Sequence, residues 1–125
     1  MPPNLTAAFL QNDTGCVIGG YPEYTIKVEN VAQIQLAVNF ARELDLRLVI
    51  KNTGHDFGGK STGKGSLSIW THFLKDAQFH ETYTTTGYTG PAFRFGAGIQ
   101  VYDANEIAKK HGVTVLGGEG KVRNL

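Results

Sequence analysis

A glycine-rich loop between two strand-like segments constrains the fold of this chain more than any other feature. Residues 46–50, LRLVI, and residues 66–70, SLSIW, have strand composition, and glycine occupies positions 54, 58, 59, 63 and 65 between them. Glycine accepts positive φ angles and lets a backbone approach a ligand closely. The composition is therefore typical of a binding loop, although ordinary connecting turns have the same composition.

The loop also matches a nucleotide-binding pattern. Residues 54–61, GHDFGGKS, satisfy G-x-x-x-x-G-K-S/T letter for letter. That motif requires a helix beginning at its Lys-Ser end, because the first helical amides hold the phosphates. Gly63 and Gly65 disfavour such a helix by about 1 kcal/mol each relative to alanine, and no later strand ends on an acidic residue that would bind magnesium. The sequence favours a different anion site, a nest of backbone N–H groups suited to a pyrophosphate.

A β-α-β unit is predicted before the loop. Residues 24–28 alternate in polarity and are β-branched, which predicts a strand. Asn30 with Gln33 predicts a helix N-terminus, and residues 31–44 then follow helical spacing. Two strands joined by one helix are normally parallel, with a right-handed crossover. The predicted apolar stripe of the helix comprises Val31, Ile34, Ala37, Val38, Ala41 and Leu44.

The second half of the chain predicts further strands and one more helix. Residues 83–90 are rich in Thr, Tyr and Gly and are interpreted as a surface hairpin or loop. Gly112 suits the position just after a helix C-terminus. The class is therefore α+β or mixed α/β. Strands are predicted at residues 66–70, 77–80, 92–95 and 113–116, and the helix at residues 101–111.

Composition excludes several classes of protein. The 125 residues suffice for one modest domain, and 41% hydrophobic with 18% charged residues is typical of globular chains. With a net charge of +1 and no long Lys/Arg run, we expect neither a nucleic-acid partner nor binding to an anionic membrane surface. No apolar run is long enough to span a bilayer. The four histidines and one cysteine lack metal-ligand spacing, so no metal is expected.

The N-terminal residues leave the localisation open. They lack a basic start and an apolar stretch, so no signal peptide is expected. Asn4 and Asn12 begin N-x-S/T patterns, which would be glycan acceptors in a secreted protein. Cys16 cannot form an internal disulfide, and its alternatives are an unreactive thiol or a partner upstream in a longer parent chain.

Two strings carry a resemblance to a known family. Residues 49–57, VIKNTGHDF, and residues 63–72, GKGSLSIWTH, resemble the N-terminal FAD-binding domain, of PCMH type, in FAD-linked oxidases. These are the vanillyl-alcohol oxidase and berberine bridge enzyme-like proteins, and the likeness is closest to fungal members, many of them secreted. The resemblance runs from about Cys16 to Glu119 and includes the segments at residues 95–98 and 117–119.

The resemblance implies a fold and a cofactor. The fold would be α+β, with a β-α-β opening followed by a mixed sheet and a second helix. Residues 1–20 would be irregular, and residues 21–125 would form a partial FAD-binding domain that lacks the second lobe and the substrate domain. FAD would be the cofactor, and a small molecule would be the substrate of full-length relatives.

The resemblance also implies site residues. His55 falls where many relatives attach the flavin 8α-methyl group to a histidine; the alternative is a hydrogen-bonded loop residue. Gly96, Ala97 and Gly98 would approach the flavin, and Gly117 and Gly118 would open a segment beside the isoalloxazine. The residues that would wrap the pyrophosphate are Asn52, Thr53, Gly54, His55, Asp56, Phe57, Gly58, Gly59 and Ser61.

The chain departs from the family after Glu119. Relatives commonly have a cysteine where Gly120 stands, so a second, cysteinyl flavin bond is not expected. The change of pattern suggests a truncated gene product or a misread coding end, and the catalytic residues are not indicated. Two hypotheses remain. One is the FAD-binding portion of an oxidoreductase that oxidises an alcohol, sugar or amine with oxygen as acceptor; the other is a non-catalytic fragment or interaction module that keeps the fold.

Overall fold

The computed structural model describes residues 18–118, which contain five strands and two α-helices. The expected α+β class is confirmed. Expectations for Asn4, Asn12, Cys16 and residues 119–125 fall outside the described residues. The elements in order are β1 (Tyr24–Lys27), α1 (Val31–Glu43), β2 (Leu48–Lys51), β3 (Leu67–Trp70), a 3-10 turn (Thr71–Phe73), β4 (Ala77–Thr85), β5 (Tyr88–Phe95) and α2 (Val101–Lys110).

The first sheet is fully parallel, with strand order β1-β3-β2. The predicted β-α-β unit forms, but its two strands are not neighbours, because β3 lies between them. Lys51 at the end of β2 pairs with Trp70 at the end of β3. The glycine loop that leaves β2 and the 3-10 turn that leaves β3 therefore start side by side at one edge of the sheet.

Helix α1 begins as its sequence predicts. The Asn30 side chain accepts a hydrogen bond from the Gln33 amide at 3.0 Å, and the Gln33 side chain accepts one from the Glu29 amide at 2.7 Å. The first bond satisfies an amide that the first helical turn would otherwise leave unpaired, and the second ties the residue before the N-cap to the helix.

The buried stripe of α1 is narrower than predicted. Ala37 and Ala41 are buried, and Ile34 packs against the core residues Val28 and Ile69. The inclusion of Val31, Val38 and Leu44 in the buried stripe was wrong, since all three are exposed. The physical reason is that Ile34 and Ala37 make the contact with the core, and no described segment covers the apolar side chains on either side of them.

Strands β4 and β5 form an antiparallel hairpin with a register irregularity between His80 and Tyr83. The strands meet at a two-residue turn in which Gly87 has a φ of +83°. Residues 83–90 were interpreted as a surface hairpin or loop, and the structure shows the hairpin. Both strands are longer than predicted because they pair over most of their length. Neither helix between residues 18 and 118 is long and apolar enough to cross a membrane.

The predicted strand at residues 113–116 is wrong. These residues follow Gly112, which ends α2 with a φ of +68°, and they form no strand. Val113 and Val115 instead line a groove of about 400 Å³ against Phe79 and Phe93 of the hairpin. The alternating pattern of a strand is present, but no described segment provides a hydrogen-bonding partner.

Candidate functional site

The glycine loop spans residues 52–66 and connects the carboxyl end of β2 to the start of β3. Turns and bends occupy it, and no helix begins after Ser61. The sequence argument against a nucleotide triphosphatase loop is confirmed, because the helical amides that such a loop needs do not exist between residues 61 and 66.

Asp56 holds the outer part of this loop together. Its carboxylate accepts hydrogen bonds from the Lys60 amide, the Ser61 amide at 3.3 Å and the Ser61 hydroxyl. The hydroxyl bond contributes most to lowering the pKa of Asp56; desolvation opposes it, and the backbone bonds add to it. Asp56 and Ser61 thus already have partners within the chain. A ligand role for Ser61 stays a prediction. A phosphate would have to replace the Asp56 carboxylate as the acceptor of the Ser61 hydrogen bonds.

The inner part of the loop offers free backbone donors. The amides of Gly54, His55, Phe57 and Gly58 donate to no acceptor within residues 18–118. All four residues are exposed, and Gly54 has a φ of +84°. Adjacent free amides in a glycine-rich turn form an anion-binding nest. These amides can therefore donate hydrogen bonds to phosphate oxygens.

Asn52 joins the glycine loop to residues 96–98, two segments that were predicted to belong to one site. Its side-chain Nδ2 donates to the Ala97 carbonyl. The Trp70 indole Nε1 donates to the Asn52 carbonyl at 2.9 Å, which ties the loop to β3. The Asn52 Oδ1 is buried and has no hydrogen-bond partner in the described part of the chain.

Gly96 and Gly98 lie against the backbone that follows β3. A Cβ added at Gly96 would lie 2.3 Å from the Leu74 carbonyl oxygen, and one added at Gly98 would lie 2.2 Å from the His72 carbonyl oxygen. The Gly98 amide donates to the Leu74 carbonyl at 3.0 Å. Close backbone contact within the chain therefore requires glycine at both positions, independently of any contact with the flavin.

The N-terminus of α2 is fixed next to this contact. The Gln100 amide donates to the Asp103 carboxylate at 3.1 Å, and Lys75 Nζ lies 2.6 Å from the same carboxylate oxygen. The Lys75 hydrogen bond is the main cause of the lowered pKa of Asp103, and desolvation partly opposes it. This arrangement places Gln100 at the rim of the site.

A small cavity of about 130 Å³ marks where these parts meet. Three of the predicted site residues line it, namely Asn52, Thr53 and His55. The other lining residues were not identified from the sequence, and they are Lys51, Trp70, His72 and Gln100. Gly58, Gly59, Gly117 and Gly118 do not line it. One feature of the sequence could have identified the other lining residues. Parallel strands end at the same edge of a sheet, so the residues that follow β2 and those that follow β3 are expected to lie close together.

A parallel sheet whose strand ends carry a nest of free amides is typical of the phosphate-binding part of a nucleotide-cofactor domain. Residues 22–118 match the FAD binding domain family, and the chain belongs to that family. FAD is thus its cofactor, as the sequence led us to expect. Within residues 18–118 no three His, Cys, Asp or Glu side chains are grouped to hold a metal ion.

The relatives of this chain include a flavoprotein oxidase and an FAD-linked oxidoreductase. The VAO-type flavoprotein oxidase VAO615 of Thermothelomyces thermophilus is 46% identical over 103 residues, covering 82% of this chain and 18% of the relative. The FAD-linked oxidoreductase sor8 of Hypocrea jecorina is 46% identical over 110 residues, covering 88% and 19%. The chain therefore spans about a fifth of the length of these relatives.

Solved structures agree with the sequence relatives. The crystal structure of the VAO-type flavoprotein MtVAO615 from Myceliophthora thermophila C1 matches with a TM-score of 0.79 and 46% identity, covering 82% of this chain and 19% of that one. MtVAO713 from the same organism matches with a TM-score of 0.76 and 34% identity, covering 84% and 20%. The expected fold is confirmed by both likenesses.

Proposed function

We propose that residues 21–125 act as the FAD-holding part of a flavin-dependent oxidoreductase. Its reaction would oxidise a small organic substrate, such as an alcohol, sugar or amine, with oxygen as the acceptor. The relatives support this, since one is a flavoprotein oxidase and another is an FAD-linked oxidoreductase. When bound, FAD supplies the two-electron chemistry, and the protein supplies binding, orientation and electrostatics.

The observation that carries the proposal is the set of free amides in the glycine loop. The amides of Gly54, His55, Phe57 and Gly58 have no acceptor among the described residues, so a pyrophosphate would give them one. The Asp56 hydrogen bonds keep the loop in this conformation without using those four amides. Asn52 would orient the inner end of the cofactor, because its Oδ1 is buried and unpaired.

His55 is the proposed point of covalent attachment, where an imidazole nitrogen would take the place of one hydrogen on the flavin 8α-methyl carbon. The imidazole and the methyl group would each give up a proton, and the electron pair released would pass by way of the flavin to oxygen. The residue is exposed and lines the cavity beside Asn52. Its imidazole makes no hydrogen bond to the described residues. This observation favours the attachment over the alternative of a hydrogen-bonded loop residue, for which a fixed partner would be expected.

The test is a titration of the purified chain with FAD, followed by acid denaturation and gel electrophoresis. After unbound FAD has been removed on a desalting column, we expect the flavin absorbance of the protein fraction to saturate with added FAD, and flavin fluorescence to stay with the denatured band. The His55→Ala variant should lose the retained fluorescence, and the His80→Ala variant, which changes another exposed histidine, should keep it. A chain that gains no flavin absorbance would contradict FAD binding. Fluorescence retained by His55→Ala would exclude His55 as the anchor.

The second candidate function is that of a non-catalytic interaction module. The observation in its favour is the exposed apolar surface of α1, where Leu36 is 69% and Phe40 is 49% exposed. A chain that associates through this surface and binds no FAD would support the module.

A further inference from the structure

Two buried polar atoms next to the cavity have no partner. The Asn52 Oδ1 and the His72 Nδ1 are both buried, and neither makes a hydrogen bond within the described residues. Both residues line the same cavity of about 130 Å³. Buried polar side-chain atoms are nearly always hydrogen-bonded, so two unpaired atoms at one cavity need an explanation.

The His72 ring is held in place by aromatic neighbours. It stacks on Trp70, with ring centroids 5.9 Å apart and planes 15° apart, and it meets Phe73 edge-on at 5.4 Å. Trp70 is fixed in turn by its hydrogen bond to the Asn52 carbonyl. These contacts hold the plane of the ring, and in this position no described group bonds to Nδ1.

The required partner is a group that can donate a hydrogen bond. The orientation of the Asn52 amide is fixed because Nδ2 donates to Ala97, so Oδ1 can only accept. A fully ionised phosphate has only acceptors and would leave Oδ1 unpaired. A hydroxyl can donate to Oδ1 and also bond to an imidazole nitrogen, which is either a donor or an acceptor.

The size of the cavity agrees with a small part of a ligand. A volume of about 130 Å³ is well above the roughly 10–15 Å³ that one water molecule needs on the same measure, so several ligand atoms can enter. Drug-sized ligands need about 300–1,000 Å³, so a whole FAD cannot enter. A hydroxyl-bearing carbon of a sugar or polyol chain can.

We propose that Asn52 and His72 together bind a hydroxyl of the sugar part of FAD, in its ribityl chain or its ribose. His72 is then a cofactor-binding residue, held by the Trp70 stack, and the phosphates lie outside the cavity on the amides of the glycine loop. This inference rests on the proposed FAD-binding function.

The test compares two substitutions of His72 by calorimetric titration with FAD, in a His55→Ala background where the cofactor cannot attach covalently and a Kd is defined. His72→Phe keeps an aromatic ring on Trp70 but removes both nitrogens, so the Kd should rise about five- to tenfold, as for one lost hydrogen bond. His72→Asn keeps a polar atom near the Nδ1 position and should recover most of the affinity. His80→Phe makes the same change at an exposed histidine and should leave the Kd unchanged.

Shorter ligands separate the two sources of the hydroxyl. If the ribityl chain enters the cavity, His72→Phe should weaken binding of FMN but not of ADP-ribose. If the ribose enters, the pattern should be reversed. An unchanged Kd for both ligands and for FAD would overturn the inference and leave the proposed function standing, whereas a wild-type chain that binds no FAD would overturn both.

An NMR measurement on the wild-type chain tests the same inference if the variants do not fold. The ¹⁵N resonance of His72 Nδ1 should shift when FAD is added, because the atom gains a hydrogen bond, and the His80 resonances should not. A His72 resonance that stays in place while FAD binds would contradict the inference.

Discussion

At the scale of single residues, Asp56 decides the shape of the glycine loop. Its folded-state pKa lies below the ordinary value of 3.8, mainly because the Ser61 hydroxyl donates to it. A depressed carboxyl pKa means that the ionised form stabilises the loop at higher pH. That stabilisation begins to be lost as the pH falls below the ordinary value and is gone once the folded-state pKa is passed.

Replacing Asp56 by asparagine should remove this pH dependence. In wild type, we expect the amide resonances of Lys60 and Ser61 to move with a midpoint below 3.8, because both amides donate to the carboxylate. Asp56→Asn should show no such transition and should bind FAD more weakly at neutral pH. The control is Glu106→Gln, which changes an exposed carboxylate on α2. A wild-type midpoint at or above 3.8 would contradict the assignment.

At the scale of elements, the end of α1 contains a residue in an unfavourable conformation. Asp45 has a φ of +49° and is the only residue other than glycine with positive φ among those described. The Leu46 amide donates to the Ala41 carbonyl at 2.8 Å, which closes the helix. Such C-terminal closures favour glycine, since side chains are strained in the left-handed region.

The Asp45→Gly variant should therefore be more stable by about 0.5–1 kcal/mol. The matched change in the other direction is Gly112→Ala at the end of α2, where φ is +68°, and it should cost about 1 kcal/mol. Urea unfolding followed by circular dichroism measures both shifts. A lower urea midpoint for Asp45→Gly would show that its side chain stabilises the helix end more than the strain destabilises it.

The elements also show what could be predicted from sequence. The start of α1 at Asn30 and the end of α2 at Gly112 were predictable, because each depends on residues within one turn. Two other features were not predictable, because strand pairing depends on partners distant in sequence. They are the strand order β1-β3-β2 and the unpaired state of residues 113–116. The site divides in the same way. The resemblance indicated Asn52 and His55, but Trp70 reaches Asn52 across 18 residues of sequence.

At the scale of the whole molecule, the apolar side chains are divided between a thin core and an exposed surface. The buried apolar residues among those described number eight, and four of them are alanine. Along α1, a second apolar stripe at helical spacing faces outward, formed by Leu36, Phe40 and Leu44. Large exposed apolar patches usually mark a contact surface or a tendency to associate.

We expect the chain to self-associate through this stripe, and the Leu36→Lys/Phe40→Lys double variant to weaken association at least tenfold. Burying a leucine or phenylalanine side chain contributes about 1.5–3 kcal/mol, and two lysines would both remove that gain and add repulsion between copies. The Gln35→Lys/Asn39→Lys variant adds the same charges at the same spacing on α1 outside the stripe, so it isolates the apolar contribution. Sedimentation velocity over a range of concentrations measures the change. Equal association of both variants would show that copies meet elsewhere, and a monomeric wild-type chain at its highest soluble concentration would show that the stripe does not drive association.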